Sequence, residues 1–483
     1  MSGDGVTSGP QGRQRDFLAA LAGRVSPRSV VTDPELIAPW LTDWRGRYRG
    51  RATALLQPES TAEVAAVVAL AGIHRVPLVP QGGNTSMVGG ATPPGDGAAL
   101  ILSLRRLNRI RSIDVAAGLA VAEAGVVLAD LHAAAAARDR RFPLTLGARG
   151  SATIGGLVST NAGGTQVLRW GTMRGLVAGL EAVLPDGAVH DGLAALKKDN
   201  RGYDPTHLLI GAEGTLGIVT AAALRLASAV TARAVAWAGV ADPAAALRLL
   251  RLLEARSSAV ESFELMPGES LAAALAYLPG ARAPLAGEHR WHVLIEAVAM
   301  APGDEAPAPL LERLLGEALA AGTVADATIA ASEAQAEALW LLRDSLSAAE
   351  RAQGPATQHD ISVPVEAMPR FLIEAAAACD ARFPGTHASG FGHLGDGNVH
   401  FHVRAPAGAA ADRWYADEAP VITRFVHDLV VAADGSISAE HGIGQMKRDE
   451  LARLSSPARM AVLTGVKRAL DPHGLMNPGK LIG

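Results

Sequence analysis

The chain has 483 residues, a length that exceeds one simple hydrophobic core and predicts two or three domains. Its net charge of −4, with 19% charged residues and no basic run, argues against a nucleic-acid-binding surface. A single cysteine, Cys379, excludes a disulfide framework within the chain, and since no membrane span or signal peptide is predicted, we expect a cytoplasmic protein.

Composition divides the chain into four parts. Residues 1–15 are rich in Gly, Ser and Gln, and we predict that they are disordered. From 51 to 226, short β-rich runs alternate with alanine-rich helical segments, and a composition shift near 227–235 begins a second α+β region. The predicted parts are a disordered start at 1–15, a first domain at 16–226, a second domain at 227–435 and a closing segment at 436–483.

The hydrophobic pattern predicts individual elements in both domains. A helix at 61–73 begins after Ser60 and has Glu63 in the position of a capping box. Further elements of the first domain are strands at 54–58, 78–80, 100–104 and 175–184, and a strand–turn–strand unit at 208–219. In the second domain we predict strands at 234–240 and 292–297 and helices at 243–256, 310–321 and 332–353.

Two glycine-rich segments follow predicted strands in the first domain. The strand at 78–80 leads directly into residues 81–86 and the pair Gly89-Gly90, where backbone N–H groups can face a phosphate. No Gly-Lys-Ser/Thr follows, so this is not a Walker loop, and a plain tight turn is the alternative. Residues 143–164 alternate Gly with Ser, Thr and Asn, a pattern that suits repeated hydrogen bonds to a large, flat ligand but also an ordinary loop.

The densest cluster of histidines lies at 391–402. Asp396-Gly397 predicts a two-residue hairpin turn, which would place His400 directly opposite His393 and His402 on the same face. Two facing imidazoles can share a metal ion, and Glu440 is the best candidate for a third ligand. Such a set leaves an open coordination position, as catalytic metal sites do. The alternative is a hairpin that carries histidines without binding a metal.

Five sequence blocks resemble those of a known family. The blocks are Pro80-Gln-Gly-Gly-Asn-Thr-Ser86, Gly211-Ala-Glu-Gly-Thr-Leu-Gly217, Gly392-His-Leu-Gly-Asp-Gly-Asn-Val-His400, Ser438-Ala-Glu-His-Gly442 and Asn477-Pro-Gly-Lys480. Their order and identity resemble the FAD-linked oxidases of the vanillyl-alcohol-oxidase fold, in the branch of flavin-dependent D-2-hydroxy-acid dehydrogenases. The resemblance runs from about residue 30 to the end. It implies an α+β fold with a two-part FAD-binding domain, to which the closing segment contributes, and an α+β substrate cap with an antiparallel sheet.

The resemblance also assigns the cofactor residues. FAD is expected to be non-covalent, because Asn84 stands where some relatives of the wider fold carry a flavin-linked histidine. The residues implied around the pyrophosphate are Pro80, Gln81, Gly82, Gly83, Asn84, Thr85, Ser86 and Gly89. Those implied on the adenine and ribityl side are Thr145, Gly147, Ser151, Thr153, Gly155, Gly156, Ser159, Asn161 and Gly163. The pocket is closed by Glu213, Gly214 and Ile218, and Asn477 approaches the flavin ring.

The resemblance implies a metal-assisted oxidation of a D-2-hydroxy acid. His393, His400 and Glu440 match divalent-metal ligands, with zinc as the expected metal, and His441 matches the catalytic base. In the resulting mechanism the substrate hydroxyl, acidified by the metal, loses its proton to His441 as hydride passes to flavin N5. The implied substrate contacts are Arg343 and Ser347 on one helical face, Asn398, and His402. A solvated helix arginine is the alternative for Arg343.

Two departures from the family pattern bear on the substrate. Gln358 stands where the family often has Lys, and His402 where the hydroxyglutarate enzymes commonly have Asn. Both departures weaken the match to a dicarboxylate site. We still favour D-2-hydroxyglutarate as the substrate, with D-lactate as the alternative. Reduced FAD needs a second acceptor, and we expect a soluble one such as electron-transferring flavoprotein, or a quinone, with a homodimer as the candidate assembly. A flavin-free metal-dependent hydrolase and a non-catalytic flavin-binding subunit are the alternatives from other classes.

Overall fold

A computed structural model describes residues 9–482. The helices up to residue 209 are Pro10–Ala20 (α1), Pro34–Ile37 (α2), Thr61–His74 (α3), Leu128–Ala136 (α4), Ile154–Ser159 (α5), Val167–Trp170 (α6), Met173–Leu176 (α7) and Pro205–Leu209 (α8). The strands up to residue 228 are Val30–Val31 (β1), Leu55–Leu56 (β2), Leu78–Gln81 (β3), Leu100–Ser103 (β4), Ile110–Asp114 (β5), Leu119–Glu123 (β6), Arg140–Arg141 (β7), Val177–Val183 (β8), Val189–Gly192 (β9), Ile218–Arg225 (β10) and Ala227–Ser228 (β11).

Two small sheets are built from these strands. One has the order β1-β2-β4-β3, with β4 parallel to both neighbours. All four residues of β4 are buried, as expected for a parallel strand covered on both faces. The other sheet is antiparallel with the order β5-β6-β10-β8-β9, and β7 pairs with β11 in a short ribbon. The first glycine-rich segment directly follows β3, and the second contains α5.

The remaining helices and strands form a second unit and the closing segment. The strands are Ala232–Val240 (β12), Val260–Pro267 (β13), Trp291–Ala299 (β14), Asp326–Ile329 (β15), Ala356–Ser362 (β16), His387–His393 (β17) and Asn398–Arg404 (β18). The helices are Pro243–Arg256 (α9), Gly268–Tyr277 (α10), Pro307–Ala320 (α11), Glu333–Ala352 (α12), Met368–Arg382 (α13), Ala411–Arg413 (α14), Ala419–Ala432 (α15), Arg448–Leu454 (α16) and Pro457–Leu470 (α17).

One seven-stranded antiparallel sheet organises this second unit, with the order β15-β12-β14-β13-β17-β18-β16. Helices α9, α11, α13 and α15 pack on one face through residues such as Leu249, Leu314 and Phe371. Helices α10 and α12 cover the other face, where Trp237 and Phe391 form the core with Leu339. The predicted α+β architecture with an antiparallel cap sheet is confirmed.

Several predicted elements differ from the observed ones. Helix α1 begins at Pro10, so the prediction of disorder is wrong for residues 10–15, whereas residues 1–8 lie outside the described residues. The segment at 205–209 is helical where we predicted a strand from 208, because Asp204 caps the backbone N–H groups of Thr206 and His207. Ser60 caps α3 as predicted, but Glu63 accepts hydrogen bonds from the Glu59 and Ser26 N–H groups instead of closing a capping box on Ser60.

Hydrogen bonds between side chains and backbone groups, in both directions, hold the closing segment against the first domain. The Glu213 carboxylate accepts from the N–H groups of Ile443 and Gly444 at 2.7 and 2.8 Å. Lys467 donates to the carbonyl oxygen of Thr215, and Asn477 donates to those of Gly90 and Glu213. Buried carboxylates that accept several N–H bonds are strong anchors, so these contacts fix the path of the chain around residue 443.

No helix among residues 9–482 is both long and apolar enough to cross a lipid bilayer.

A buried ion pair joins the two units. The Glu261 carboxylate on β13 accepts two hydrogen bonds from Arg141 on β7, at 2.7 and 2.9 Å, and a third from the Trp170 indole. The Glu261 side chain is 0% exposed.

Arg141→Ala is therefore expected to destabilise the protein by about 3–5 kcal/mol, because a buried carboxylate would lose its countercharge. Thermal unfolding followed by circular dichroism measures the effect. The matched control is Arg251→Ala, which removes surface pairs with Glu254 and Glu366 and is expected to cost about 0–1 kcal/mol. Equal shifts in the two variants would show that the Arg141–Glu261 pair contributes no more to stability than a surface ion pair.

Candidate active site

The histidine hairpin forms with a different register from the one predicted. His393 pairs with Asn398, and His400 pairs with Phe391 rather than with His393. Residues 394–397 form a longer turn, in which the carbonyl oxygen of His393 accepts from the N–H groups of Asp396 and Gly397. Gly397 has a φ of +77° and a Cβ there would lie 2.0 Å from the carbonyl oxygen of Val363, so the packing of the turn, not a two-residue loop, requires glycine.

The shift of two residues keeps His393 and His400 on the same face of the sheet. Their ring centroids are 5.4 Å apart with an interplanar angle of 80°. Glu440, in the loop between α15 and α16, completes a group in which one ligand atom from each residue lies within 4.8 Å of the others. The structure therefore brings together the three residues that the sequence analysis selected as metal ligands.

Glu264 orients the first of these histidines. It lies opposite His393 on the neighbouring strand β13, and its Oε1 is 2.6 Å from His393 Nδ1. Although burial opposes ionisation, Arg343 and His393 hold the pKa of Glu264 down to about 2. Burial alone would lower the pKa of His393, yet the Glu264 carboxylate raises it to about 9. Without a bound cation His393 is therefore protonated on both ring nitrogens near pH 7. Since Glu264 retains the Nδ1 proton, a cation would bind at Nε2 by displacing the proton there.

The chemistry of the donor set fits a divalent cation. Burial, together with the charge of His393, lowers the pKa of His400 well below its usual range, so this imidazole is neutral, as a metal ligand must be. Burial raises the pKa of Glu440 to about 7, with Asp360 and Asp396 adding to the effect against the charge of His393. A cation would supply the positive charge that the Glu440 carboxylate lacks. Two imidazoles and a carboxylate are a ligand set typical of zinc and of non-haem iron.

A second trio, Asp360 with Glu440 and His441, also meets the distance criterion for a metal site. Asp360 is already engaged, because its Oδ2 accepts from the N–H groups of Glu440 and His441 at 2.9 and 3.0 Å. Its Oδ1 accepts from the Asn398 amide at 2.9 Å. Oxygens with this many donors are poor metal ligands, so the trio of His393, His400 and Glu440 is the better candidate.

His441 lies beside this trio and faces the large cavity of the first domain. Its Nδ1 is 3.4 Å from Asp360 Oδ2, and its own N–H donates to the same oxygen. Burial lowers the pKa of His441 although Asp360 opposes this effect, and the cations Lys447, Arg45 and Arg47 add to the lowering. The ring is therefore neutral near pH 7, and a proton on Nδ1, the nitrogen nearer Asp360, would leave Nε2 as the basic atom.

Arg343 is not a solvated helix arginine, since its side chain is 11% exposed and pairs with Glu264 at 2.7 Å. Arg343 Nε donates to Glu264 Oε2, and Nη2 lies 2.7 Å from the same oxygen and 3.4 Å from both ring nitrogens of His393. Nη1 makes no hydrogen bond within residues 9–482. Ser347 is half-buried one turn farther along α12. Asn398 holds Asp360 and the carbonyl oxygen of Ile361, so its amide supports the site from behind the trio. His402 packs edge-on against Phe391, and its Nδ1 is buried without a partner in the described chain.

A cavity of about 680 Å³ extends from the glycine-rich segments to Glu440 and His441. All of the predicted cofactor residues line it except Gly89, Thr145 and Asn161. Gly89 packs against Tyr48 and Gln445, Thr145 lies against Gly164, and the Asn161 amide oxygen accepts from the N–H of Arg174. These three residues contact neighbouring parts of the chain and do not line the cavity.

The lining fits a large polar ligand such as FAD. Gln81 Oε1, Thr153 Oγ1 and Asn477 Oδ1 are buried and make no hydrogen bond within residues 9–482, although all three residues line the cavity. Such orphaned polar atoms are costly unless a ligand or water satisfies them. Gly83 allows the two glycine-rich segments to touch, because a Cβ there would lie 1.9 Å from the carbonyl oxygen of Ser151. The amide of Asn84, the residue that stands in place of a flavin-linked histidine, donates to the carbonyl oxygen of Thr42.

The sequence analysis missed Glu264, Asp360 and Arg45 as residues of the site. A signal existed for Glu264, because it is a carboxylate between the apolar residues Phe263 and Leu265. Asp360 stands in a mostly polar strand, which gives no such signal. Its neighbour His359 is structural, because its ring nitrogens lie within hydrogen-bond distance of the Phe401 carbonyl oxygen and the Thr423 hydroxyl. Nothing in the sequence around Arg45 indicates that it reaches the second domain, more than 300 residues away along the chain.

Two family models match the chain. The model described as FAD linked oxidases, C-terminal domain, matches residues 230–481, and the model described as FAD binding domain matches residues 52–192. Among curated proteins, the mitochondrial D-2-hydroxyglutarate dehydrogenase of Bos taurus is 37% identical over 468 residues, which cover 97% of this chain and 83% of the bovine protein. The D-2-hydroxyglutarate dehydrogenase of Xanthomonas citri is 37% identical over 465 residues, which cover 96% of both chains.

Solved structures share the fold at low sequence identity. p-Cresol methylhydroxylase superposes with a TM-score of 0.73 at 14% identity and covers 98% of this chain and 97% of its own. The 4-ethylphenol oxidase of Gulosibacter chungangensis superposes with a TM-score of 0.71 at 19% identity and covers 99% of this chain and 98% of its own. These proteins establish the arrangement of the domains and nothing about the substrate.

Proposed function

Because the chain belongs to the FAD-linked oxidases, we propose that this FAD-dependent oxidoreductase converts a D-2-hydroxy acid to the 2-oxo acid, with D-2-hydroxyglutarate as the favoured substrate. The printed names of the bovine and Xanthomonas relatives support the choice of D-2-hydroxyglutarate. A D-lactate dehydrogenase of the same family is the second candidate, supported by the glutamine at position 358 where the family often has a lysine.

One observation carries the proposal. Glu440 and His441 line the same cavity as the glycine-rich segments, and the imidazoles of His393 and His400 stand next to Glu440. A base, a candidate cation site and the cofactor cavity therefore meet at one point, where a hydroxyl-bearing carbon can face all three. A hydrolase would need only the first two of these features and would leave the large cavity without a role.

The chain's own residues would divide the work as follows. His441 Nε2 accepts the hydroxyl proton, while Asp360 holds the ring through Nδ1 and stabilises the positive charge that develops. Arg343, fixed by Glu264, offers its free Nη1 hydrogens to the substrate carboxylate. Ser347 lies on the same helical face and adds a hydroxyl donor. Asn398 keeps Asp360 in place, so it contributes to the position of His441 rather than to the chemistry.

Two bound groups supply what side chains cannot. The cavity-lining residues would hold FAD, which would supply the acceptor for the hydride of the substrate carbon. His393, His400 and Glu440 would hold a divalent cation, with zinc as the favoured ion, whose positive charge would favour loss of the hydroxyl proton.

The acceptor and location remain proposals. Tightly held FAD must pass its electrons to a second acceptor, and we favour a soluble one such as electron-transferring flavoprotein over a quinone. The cytoplasmic location and the homodimer also stay predictions. The bovine relative carries the word mitochondrial in its name, which differs from the location that we expect for this chain.

The test is an anaerobic panel of D- and L-2-hydroxy acids, followed by bleaching of the visible flavin band with and without chelator. We expect bleaching by D-2-hydroxyglutarate, slower bleaching by D-lactate and none by the L-enantiomers. Chelator treatment should slow the bleaching and added metal should restore it. A flavin band that no D-2-hydroxy acid bleaches would exclude the proposed reaction.

A further inference from the structure

The loop at 41–50 reaches the cavity through Trp44 and the cap sheet through Arg45. It is fixed at several points, because Asn84 donates to the carbonyl oxygen of Thr42 and Asp43 accepts from the Tyr48 N–H. Trp44 lines the cavity together with Glu440 and His441, and its indole donates to the Met87 sulfur. The residue that follows Trp44 is therefore held in place beside the reacting centre rather than free in solvent.

That residue, Arg45, has no acidic partner. Its Nη1 donates to the Gln358 amide oxygen at 3.2 Å, and no carboxylate lies within ion-pair distance of it among residues 9–482. Partial burial, together with the nearby charges of Arg47 and Arg351, lowers the pKa of Arg45 to about 10 against the weaker influence of Asp43 and Tyr415. The guanidinium lies over the Trp44 ring, 5.3 Å from its centroid, but its charged neighbours are mainly other cations. A half-buried guanidinium in this position is stabilised by an anion.

Gln358 and His402 add two unsatisfied atoms at the same place. They are directly opposed in the pairing of β16 with β18, so their side chains lie on the face that also carries Asp360 and His400. Gln358 Nε2 and His402 Nδ1 are both buried and make no hydrogen bond within the described residues. A guanidinium whose one hydrogen-bond acceptor is a neutral amide thus lies beside two unsatisfied nitrogens, with no carboxylate of the described chain to accept from the three groups.

We propose that Arg45, Gln358 and His402 bind a second anionic group of the substrate, which makes the favoured substrate a short dicarboxylic 2-hydroxy acid. The inference rests on the proposed function and names the substrate class of that same site. His402 is two residues beyond His400 on β18, a displacement of about 7 Å along the strand. A carboxylate at this distance from the reacting end belongs to the far end of a short hydroxydiacid, and a monocarboxylate such as D-lactate has nothing to place there.

The proposal also accounts for the glutamine at position 358. A lysine there would provide the second cation directly, whereas in this chain Arg45 reaches the same position from the other domain and Gln358 positions its guanidinium.

The test compares wild type with Arg45→Ala and with Arg49→Ala, an exposed arginine of the same loop. Flavin content and kcat/KM for D-2-hydroxyglutarate and D-lactate are measured for each holoenzyme. For Arg45→Ala we expect the ratio of the two kcat/KM values to fall about 10- to 100-fold, mainly through the KM of the diacid, with unchanged flavin content. Arg49→Ala should keep the wild-type ratio, and Arg45→Ala combined with Gln358→Lys should recover most of it.

Binding of 2-oxoglutarate and of pyruvate, followed by perturbation of the visible flavin spectrum, tests the same residues without turnover. Arg45→Ala should weaken 2-oxoglutarate about 10- to 100-fold relative to pyruvate. An equal loss for both ligands, an unchanged ratio, or loss of flavin would overturn the assignment of Arg45. Wild-type enzyme that binds 2-oxoglutarate through Arg45 yet is reduced by no hydroxy acid would instead overturn the proposed reaction and leave the anion site standing.

Discussion

Replacing His441 with alanine is expected to slow flavin reduction by the D-2-hydroxy acid roughly 10²- to 10⁴-fold, the contribution typical of a positioned general base. FAD and metal contents should stay at wild-type levels. His441 lines the cavity, and its Nδ1 lies 3.4 Å from Asp360 Oδ2, which leaves Nε2 as the nitrogen without a carboxylate beside it. Burial keeps the ring neutral, so the basic atom is available near pH 7. Stopped-flow reduction under anaerobic conditions measures the chemical step separately from reoxidation.

His441→Gln is the informative companion variant. A glutamine can preserve hydrogen bonds and volume near Asp360 but has no basic nitrogen, so its reduction rate should be as low as that of the alanine variant. The matched control is His207→Ala, which removes an exposed histidine of α8 that lies outside the cavity lining. If His441→Gln or His441→Ala reduced flavin at the wild-type rate, the base would have to be another residue.

The second large effect is expected from His400→Ala. With one of three ligands removed, we expect the bound metal to be lost and flavin reduction to fall on the order of 10³-fold, because a cation contributes several kcal/mol of charge stabilisation. Metal content is measured by atomic emission on protein with its FAD retained. Addition of excess zinc should not restore the variant, whereas it should restore wild type that has been stripped with chelator.

The control for the metal variant is His387→Ala, on the strand β17 that also carries His393. His387 is exposed and pairs with Glu269, away from the trio. It should retain both metal and activity, which separates loss of a ligand from loss of any histidine on the hairpin. Full activity in His400→Ala protein that contains no metal would show that the reaction does not depend on the cation.

How much the sequence predicted depended on the range of each interaction. The helix at 243–256 and the central strands were predictable because capping residues and apolar periodicity act within a few residues. The meeting of His393 and His400 was also predictable, although the register was wrong, since a shift of two residues keeps the same face. The turn itself was not, because Gly397 is required by contact with Val363, which only the tertiary fold supplies.

The partners that activate the site were harder to predict, since they come from distant segments. Glu264 meets His393 only because β13 pairs with β17, and Asp360 reaches His441 only because the closing segment returns to the cap sheet. Gln358 was identified as a missing cation from the family pattern, whereas the arginine that approaches it lies 313 residues earlier. Local patterns in a sequence carry no information about such pairings.

Carboxylates from both domains bind the stretch that carries Glu440 and His441. Asp360 of the cap sheet accepts from the N–H groups of residues 440 and 441, and Glu213 of the first domain accepts from those of residues 443 and 444. The position of Glu440 and His441 thus depends on both domains at once. A rotation that separated the domains would displace these two residues, so substrate must enter and product must leave by a route that keeps the domains together.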